Sequence, residues 1–412
     1  DSSISIGPED ARFNDLWAFS HEGSNYAVLG STKGAHFFQV HADSLQFLAE
    51  VEGRFNNFIV RHRDYKKYQN YIYAVCDEGP SSLQIIDISN LPESVELVYD
   101  EDSLFTIAHN LFIDTSKAKM FVCSPDGIGM KVYDISAPLE PQLLNMFTTA
   151  DVHDCYVRDD TAFLNCGFAG LKIYDFEPSV PVALGVLDFY PNQGFNHSGW
   201  MNRSMSHYAF IDEDEGTRVK LCRLQNYSQI QISETFGTQD YLEMVPHNII
   251  LLESLAIVAY YKEGLRIFDF GNLPVREVGF YDTYPIDSDF DLNGAWGVGV
   301  FEEENQILIS DRQYGLFLFS FPIKVLEEGP DGTFVTSTPF IDEKGILISR
   351  EHFKEDELYF TITTVTGQIV YEQENYLNWL NIPLNLAPGT YIYGIFDKNR
   401  QILEGGKFVK GN

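Results

Sequence analysis

At 412 residues, the chain is too long for one ordinary core unless it is built from repeats. Its 60 acidic against 28 basic residues give a formal charge of −32, a field that repels phosphate backbones and argues against nucleic acid as a partner. No apolar run reaches the length of a membrane-spanning helix, so no transmembrane segment is expected.

The start, DSSISIGPED, has neither a charged n-region nor an apolar h-region, so any export signal is expected to have been removed already. From Trp17 to Phe321 a block of about 47 residues recurs seven times, a period typical of propellers. Each copy opens on a bulky ring residue: Trp17, His62, His109, His153, His197, His247 and Trp296. A strand of the type Gly-Leu-x-Ile-x-Asp follows 17 to 20 residues later. It begins at Gly34, Ser82, Gly129, Gly170, Thr217, Gly264 and Gly315. The sixth copy shows four short strands: HNIILL, LAIVAYY, LRIFDF and VREVGFYDT. They are rich in β-branched and aromatic residues, with Gly, Asn and Pro between them, as in an antiparallel meander. One such sheet cannot bury both faces, whereas seven packed round an axis can. The fold class is therefore all-β, a seven-bladed β-propeller over residues 1–325.

Outer strands are expected at LQFLAEV, VELVYDE, PQLLNMF and VALGVLDF. The seventh copy lacks one. The stretch Ser3-Ile4-Ser5-Ile6 is expected to supply it, since closure removes an exposed edge. Residues 326–333, LEEGPDGT, read as a linker, and residues 334–412 alternate at period two with glycines at turns. These last residues suggest a small Ig-like β-sandwich. Five cysteines, Cys76, Cys123, Cys155, Cys166 and Cys222, form no disulfide framework or zinc-type pairing. They read as small buried hydrophobes.

HNLFID from His109, HDCYV from His153 and HSGWMNRSMSHYAFIDEDEGTR from His197 carry a family resemblance. HNIILLESLAIVAYYKEGLRIFDF from His247 and GAWGVGVFEEENQILISDRQYGLFLF from Gly294 extend it. On these segments the propeller resembles the bacterial LVIVD-repeat proteins, and within them the choice-of-anchor B subgroup. It departs at His62-Arg63-Asp64, where such proteins more often place a Trp before Arg-Asp. TVTGQIVYEQ, NLAPGTYIYGI and the terminal KFVK make the C-terminal domain similar to a type IX secretion sorting domain of the Bacteroidetes kind. The resemblance implies an exported protein, at the cell surface on the outer membrane or secreted. It implies partners among outer-membrane or cell-surface proteins and no established enzymatic activity.

Five of ten histidines hold one repeat position, which puts a ring of imidazoles and indoles at one mouth of the channel. Three readings stand. Each imidazole could satisfy a neighbouring blade's backbone. A zinc-like transition metal could sit among His109, His153, His197 and His247, with Asn110, Asp154 and Asn248 orienting them, provided a sevenfold ring brings them close enough. The mouth could instead be catalytic, His acting as acid or base with Asp64, Asp154 or the run Asp212-Glu213-Asp214-Glu215 as carboxylates. That run otherwise reads as a solvated hairpin tip or a weak calcium loop; calcium is the less favoured ion because the spacing of a dedicated loop is missing. Trp17 and Trp296 either wedge the closure or offer faces to a flat ligand, and Trp200 packs between blades. The functional expectation is a non-enzymatic cell-surface binding or scaffold protein of an outer-membrane assembly. The alternative is a metal-dependent enzyme using the His-lined mouth.

Overall fold

The computed structural model describes residues 4–7, 11–238, 244–271, 273–285 and 292–321, then 340–342, 345–349, 358–364, 368–374, 379–382, 389–397, 400 and 402–410. The chain divides into two units, Asp1–Phe321 and Pro322–Asn412.

The first unit is seven antiparallel meanders. Blade one holds β1–β4 (Phe13–His21, Ser24–Ser31, Gly34–Val40, Leu45–Glu52) and blade two β5–β8 (Arg63–Tyr68, Tyr71–Cys76, Leu83–Asp87, Glu96–Glu101). Blade three holds β9–β12 (Asn110–Asp114, Lys119–Cys123, Met130–Asp134, Gln142–Phe147) and blade four β13–β16 (Asp154–Arg158, Thr161–Asn165, Leu171–Asp175, Val182–Leu187). Blade five holds β17–β20 (Asn196–Met201, His207–Asp212, Val219–Arg223, Gln231–Phe236) and blade six β21–β24 (Asn248–Leu251, Leu255–Ala259, Leu265–Asp269, Arg276–Tyr281). Among the described residues blade seven has three strands, β25–β27 (Ala295–Phe301, Gln306–Asp311, Gly315–Ser320). The innermost strands touch in order, and β25 returns to β1, which closes the ring. The core consists of apolar layers between consecutive blades. Tyr73, Leu83 and Val75 of blade two meet Leu111, Met120 and Val122 of blade three, for example.

The third-strand motif is intelligible residue by residue. Its Asp ends the strand with a side-chain turn: Asp87, Asp134, Asp175 and Asp269 accept hydrogen bonds from the amides of Ser89, Ser136, Glu177 and Gly271 at 2.7, 2.7, 2.9 and 2.8 Å. Its Gly sits where the outer strand's carbonyl comes close. Gly264 has φ +71°, and a Cβ there would strike the Tyr281 carbonyl oxygen, so only glycine fits without strain. In each of the six four-stranded blades the pairing of third and fourth strands slips at the same point, as between Ile85 and Ile86 or Ile267 and Phe268. A bulge of this kind bends the outer strand and increases its twist.

Blade seven is not completed as the sequence suggested. Ile4–Gly7 form no strand, and the carbonyl of Ser5 instead accepts from Thr32 Oγ1 at 2.9 Å in blade one. The gap between blades is sealed by side chains. Leu16, Ala27 and Leu29 of blade one pack on Phe301 and Leu308 of blade seven. The amides of Arg12 and Phe13 reach the Arg312 carbonyl at 2.7 and 3.0 Å. Gln306 Nε2 donates to the carbonyls of His41 and Ala42 at 2.6 and 3.2 Å. This packing and these hydrogen bonds join blade seven to blade one. Gln306→Ala removes the donor to two carbonyls of exposed residues, His41 and Ala42, and should cost about 0.5–1.5 kcal/mol. Urea denaturation checks this; a loss below about 0.5 kcal/mol would show that the seam does not depend on that side chain.

The second unit is also all-β. β28 (Phe340–Asp342), β29 (Gly345–Ser349) and β32 (Trp379–Ile382) form one antiparallel sheet. β30 (Leu358–Thr364), β31 (Ile369–Glu374), β33 (Gly389–Asp397) and β34 (Ile402–Lys410) form the other. The proposed linker, residues 326–333, lies outside the described residues. Among the described residues no helix is long and apolar enough to cross a membrane.

Candidate functional site at the channel mouth

Six aromatic rings close into a loop where the innermost strands begin. Ring centroids lie 5.2 Å apart for His62–His109, 3.9 Å for His109–His153 and 4.4 Å for His153–His197. They continue at 4.5 Å for His197–His247, 4.1 Å for His247–Trp296 and 5.4 Å for Trp296–His62. The expected separation problem of a sevenfold ring does not arise, because neighbouring imidazoles are in contact.

Trp17 is not part of this loop, which corrects the seven-membered expectation. β1 begins early. Phe13 pairs with Ser31 and Leu16 with Leu29, as Ala295 pairs with Asp311 and Val298 with Ile309. By register the counterpart of Trp296 is therefore Asn14, whose side chain is packed so close under Gly30 that a Cβ there would strike its oxygen. Trp17 lies farther along the strand and lines the channel, with Lys66 Nζ 4.4 Å from its ring centre. The Trp296 indole spans the place left open, under the Arg312 guanidinium at 5.0 Å. Trp200 lines the channel too, and packs on Tyr156 at 5.1 Å and Phe112 at 6.0 Å from the two preceding blades.

The groups behind the imidazoles also differ from expectation. Asn110 and Asp154 turn to the amides of Leu111 and Cys155, at 2.6 and 2.7 Å. With Asn248 and Ser198 they line the channel. The orienting groups come instead from the turn after the second strand. Asp77 Oδ2 accepts from His109 Nδ1 at 2.8 Å, and Glu78 Oε1 from His62 Nδ1 at 2.7 Å. His247 Nδ1 donates to the Trp296 carbonyl at 2.8 Å. Glu213 carries one oxygen 3.6 Å from His197 Nε2 and the other 3.8 Å from His247 Nε2, and it accepts a short hydrogen bond from the Tyr261 hydroxyl. A neutral imidazole that donates from Nδ1 keeps a bare Nε2. By contrast, Nδ1 of His153 is buried with no hydrogen-bond partner, so the reading in which every imidazole is satisfied by backbone fails there.

Burial dominates the electrostatics. It holds His153, His197 and His247 below the ordinary imidazole range, and neighbouring imidazoles add to this at His153 and His247. These rings are neutral, the form that can accept a proton or bind a cation. Asp77 and Glu78 stay low despite the upward pull of burial, because His109 and His62 hydrogen-bond to their ionised forms. Elsewhere along the channel three carboxyl groups are pushed up. Asp154 rises to about 7 from burial. Asp15 and Asp64, hydrogen-bonded to each other, rise mainly from burial and in part from mutual repulsion at Asp64. Lys66 is the cation among them, lowering all three.

The acidic run at the end of β18 is only in part a hairpin tip: Glu215 is exposed in the turn, while Asp212 and Asp214 are engaged by other groups. Asp212 is wholly buried against Lys220 Nζ at 2.6 Å and also accepts from Tyr190 Oη at 2.7 Å and the Gly194 amide at 2.9 Å. Asp214 accepts from the Phe195 amide at 2.7 Å. The five cysteines are free and buried, with Cys123 Sγ 3.5 Å from Cys155 Sγ. Burial pushes the Cys76 thiol up to about 11 and those of Cys166 and Cys222 up to about 12. They are inert packing residues.

No family model matches the chain, and no curated protein matches it. Solved structures do. U3-55K aligns with a TM-score of 0.53 and 10% identity over 75% of this chain and 91% of that one. The β-propeller domain of Cps50 (Swd1) from Myceliophteria thermophila aligns with a TM-score of 0.55 and 9% identity over 77% of this chain and all of that one, 100%. At such identity the likeness concerns the fold alone. The protein is a seven-bladed β-propeller with an additional all-β unit.

Proposed function

We propose that the chain is a non-enzymatic binding or scaffold protein of the cell surface, working in an outer-membrane assembly. The observation that carries this is the outer edge of blades three and four. β12, QLLNMF, and β16, VALGVL, contain no charged residue, whereas β4, β8, β20 and β24 each contain at least one. Leu143, Leu144, Met146, Val182 and Val186 are exposed there, and Asn145 Nδ2 ties the two edges through the Ser179 carbonyl at 2.7 Å. A highly acidic protein that leaves two adjacent edge strands uncharged leaves them suited to an apolar partner surface. The second unit fits this reading as an Ig-like β-sandwich of the type IX sorting kind, with the hairpin of β33 and β34 as its recognisable part. The choice-of-anchor B resemblance supports the same location.

Affinity capture from detergent-solubilised outer membranes tests the reading. The wild-type chain should retain a discrete membrane partner, and Leu143→Lys with Val182→Lys should lose it while melting normally. Repeated recovery of the wild-type protein alone would sink the scaffold role. A second reading, a metal-dependent enzyme at the channel mouth, is favoured by the contact among His109, His153 and His197; turnover of a substrate by metal-loaded protein would be its direct sign.

A further inference from the structure

We propose that His109, His153 and His197 form a site for one borderline transition-metal ion of the zinc, nickel or copper class. The inference concerns the channel mouth and does not rest on the edge-strand reading. Each of the three offers a nitrogen, and these nitrogens lie within 4.8 Å of one another. Three points so spaced share a centre within about 2.8 Å of each, against a metal–nitrogen bond of about 2.0–2.1 Å, so small ring tilts complete the contact.

The polar groups around the triad fit that use. Asp77 accepts a hydrogen bond from His109 Nδ1, which fixes the tautomer that leaves Nε2 bare. A carboxylate behind a ligating imidazole fixes its tautomer and raises its basicity. Glu213 stands beside His197 Nε2. Nδ1 of His153 is buried without a partner. Buried polar atoms in a folded protein almost always have partners, and an ion would supply one there. Neutral imidazoles suit zinc, nickel and copper over calcium or magnesium, which prefer oxygen. Three protein ligands leave a tetrahedral ion one position for water or a ligand.

His197, His247 and Glu213 form an overlapping set. It shares His197, so one ion can occupy only one of the two. Glu213 already accepts from the Tyr261 hydroxyl, and His247 has no unpartnered nitrogen at Nδ1. The all-imidazole triad is therefore the better-prepared site.

The experiment is titration of untagged, metal-stripped full-length protein with Zn2+ and with Co2+, followed by calorimetry and by the visible absorption of cobalt. The expected result is one ion per chain, a tetrahedral cobalt spectrum and a raised melting temperature. His109→Ala and His153→Ala should each weaken binding by about 100-fold or more, and Asp77→Asn by roughly 10–100-fold. His62→Ala should bind as wild type. Asp77 lies partly exposed, so its variant serves even if His153→Ala does not fold. Absence of saturable binding, or binding that survives His109→Ala as ions on an acidic surface would, overturns the proposal. So does binding lost in Glu213→Gln and His247→Ala but kept in His109→Ala, which places the ion in the other set.

Discussion

Lys220→Met is expected to destabilise the propeller by about 3–5 kcal/mol, the usual result of leaving one member of a buried ion pair without the other. Lys220 and Asp212 are both wholly inaccessible to solvent and 2.6 Å apart. The methionine replaces the stem of the lysine well, so packing loss is a minor part. Asp212 keeps two donors, Tyr190 Oη and the Gly194 amide, but loses its countercharge. Denaturant unfolding of both proteins at pH 7 checks this. A loss below about 1 kcal/mol at pH 7 would mean that the pair is not the anchor of blade five that its burial implies.

The second large effect is a pH dependence opposite to that of most salt-bridged carboxylates. Burial raises Asp154 from an ordinary 3.8 to about 7. Between these values the folded state keeps a proton that the unfolded state has released. Stability is then fully present below about pH 4 and falls as pH rises toward 7, by about 1.4 kcal/mol per unit for this one group. Asp15 and Asp64 are shifted in the same direction, and Lys66 opposes all three. Asp154→Asn should remove the Asp154 share, so that the variant gains on wild type steadily from about pH 4 to pH 7 and the gain levels off above that. Parallel stability profiles for the two proteins over that interval would refute the assignment.

Much of the fold is legible because the repeat states it seven times. Each third-strand motif lies on the predicted strand, and its Gly and Asp have a local job that depends on neighbours in sequence. The ring of histidines is legible for the same reason. Trp17 was misplaced because ring chemistry alone marks no register; the early start of β1 and its bulge decide that Asn14 takes the position. The closing strand was inferred from an edge that needed cover, whereas Phe301 and Leu308 meeting Leu16 and Leu29 cover the neighbouring face without one. Glu213 belongs to the acidic run that the sequence offers as carboxylates for the imidazoles, and it lies beside two of them. Asp77 and Glu78 carry a weaker signal, acidic residues just past the second strand of blade two, and only the stacking of blades brings Asp77 to His109 of the next blade.

The seam between first and last blades has a consequence for how the molecule is made. Everywhere else a blade contacts the blade that precedes it in the chain, so each can dock as soon as its neighbour exists. At the seam the partners are 265 residues apart for Gln306 and His41, and farther still for Arg312 and Arg12. Such contacts carry the largest loop-closure entropy in the ring, and slow closure scales with such separation. Among the described residues no strand is shared between the two ends to thread them together beforehand. The circle is best understood as a string of locally formed blades whose topology becomes circular only in the last encounter, and whose first opening, on unfolding, retraces it.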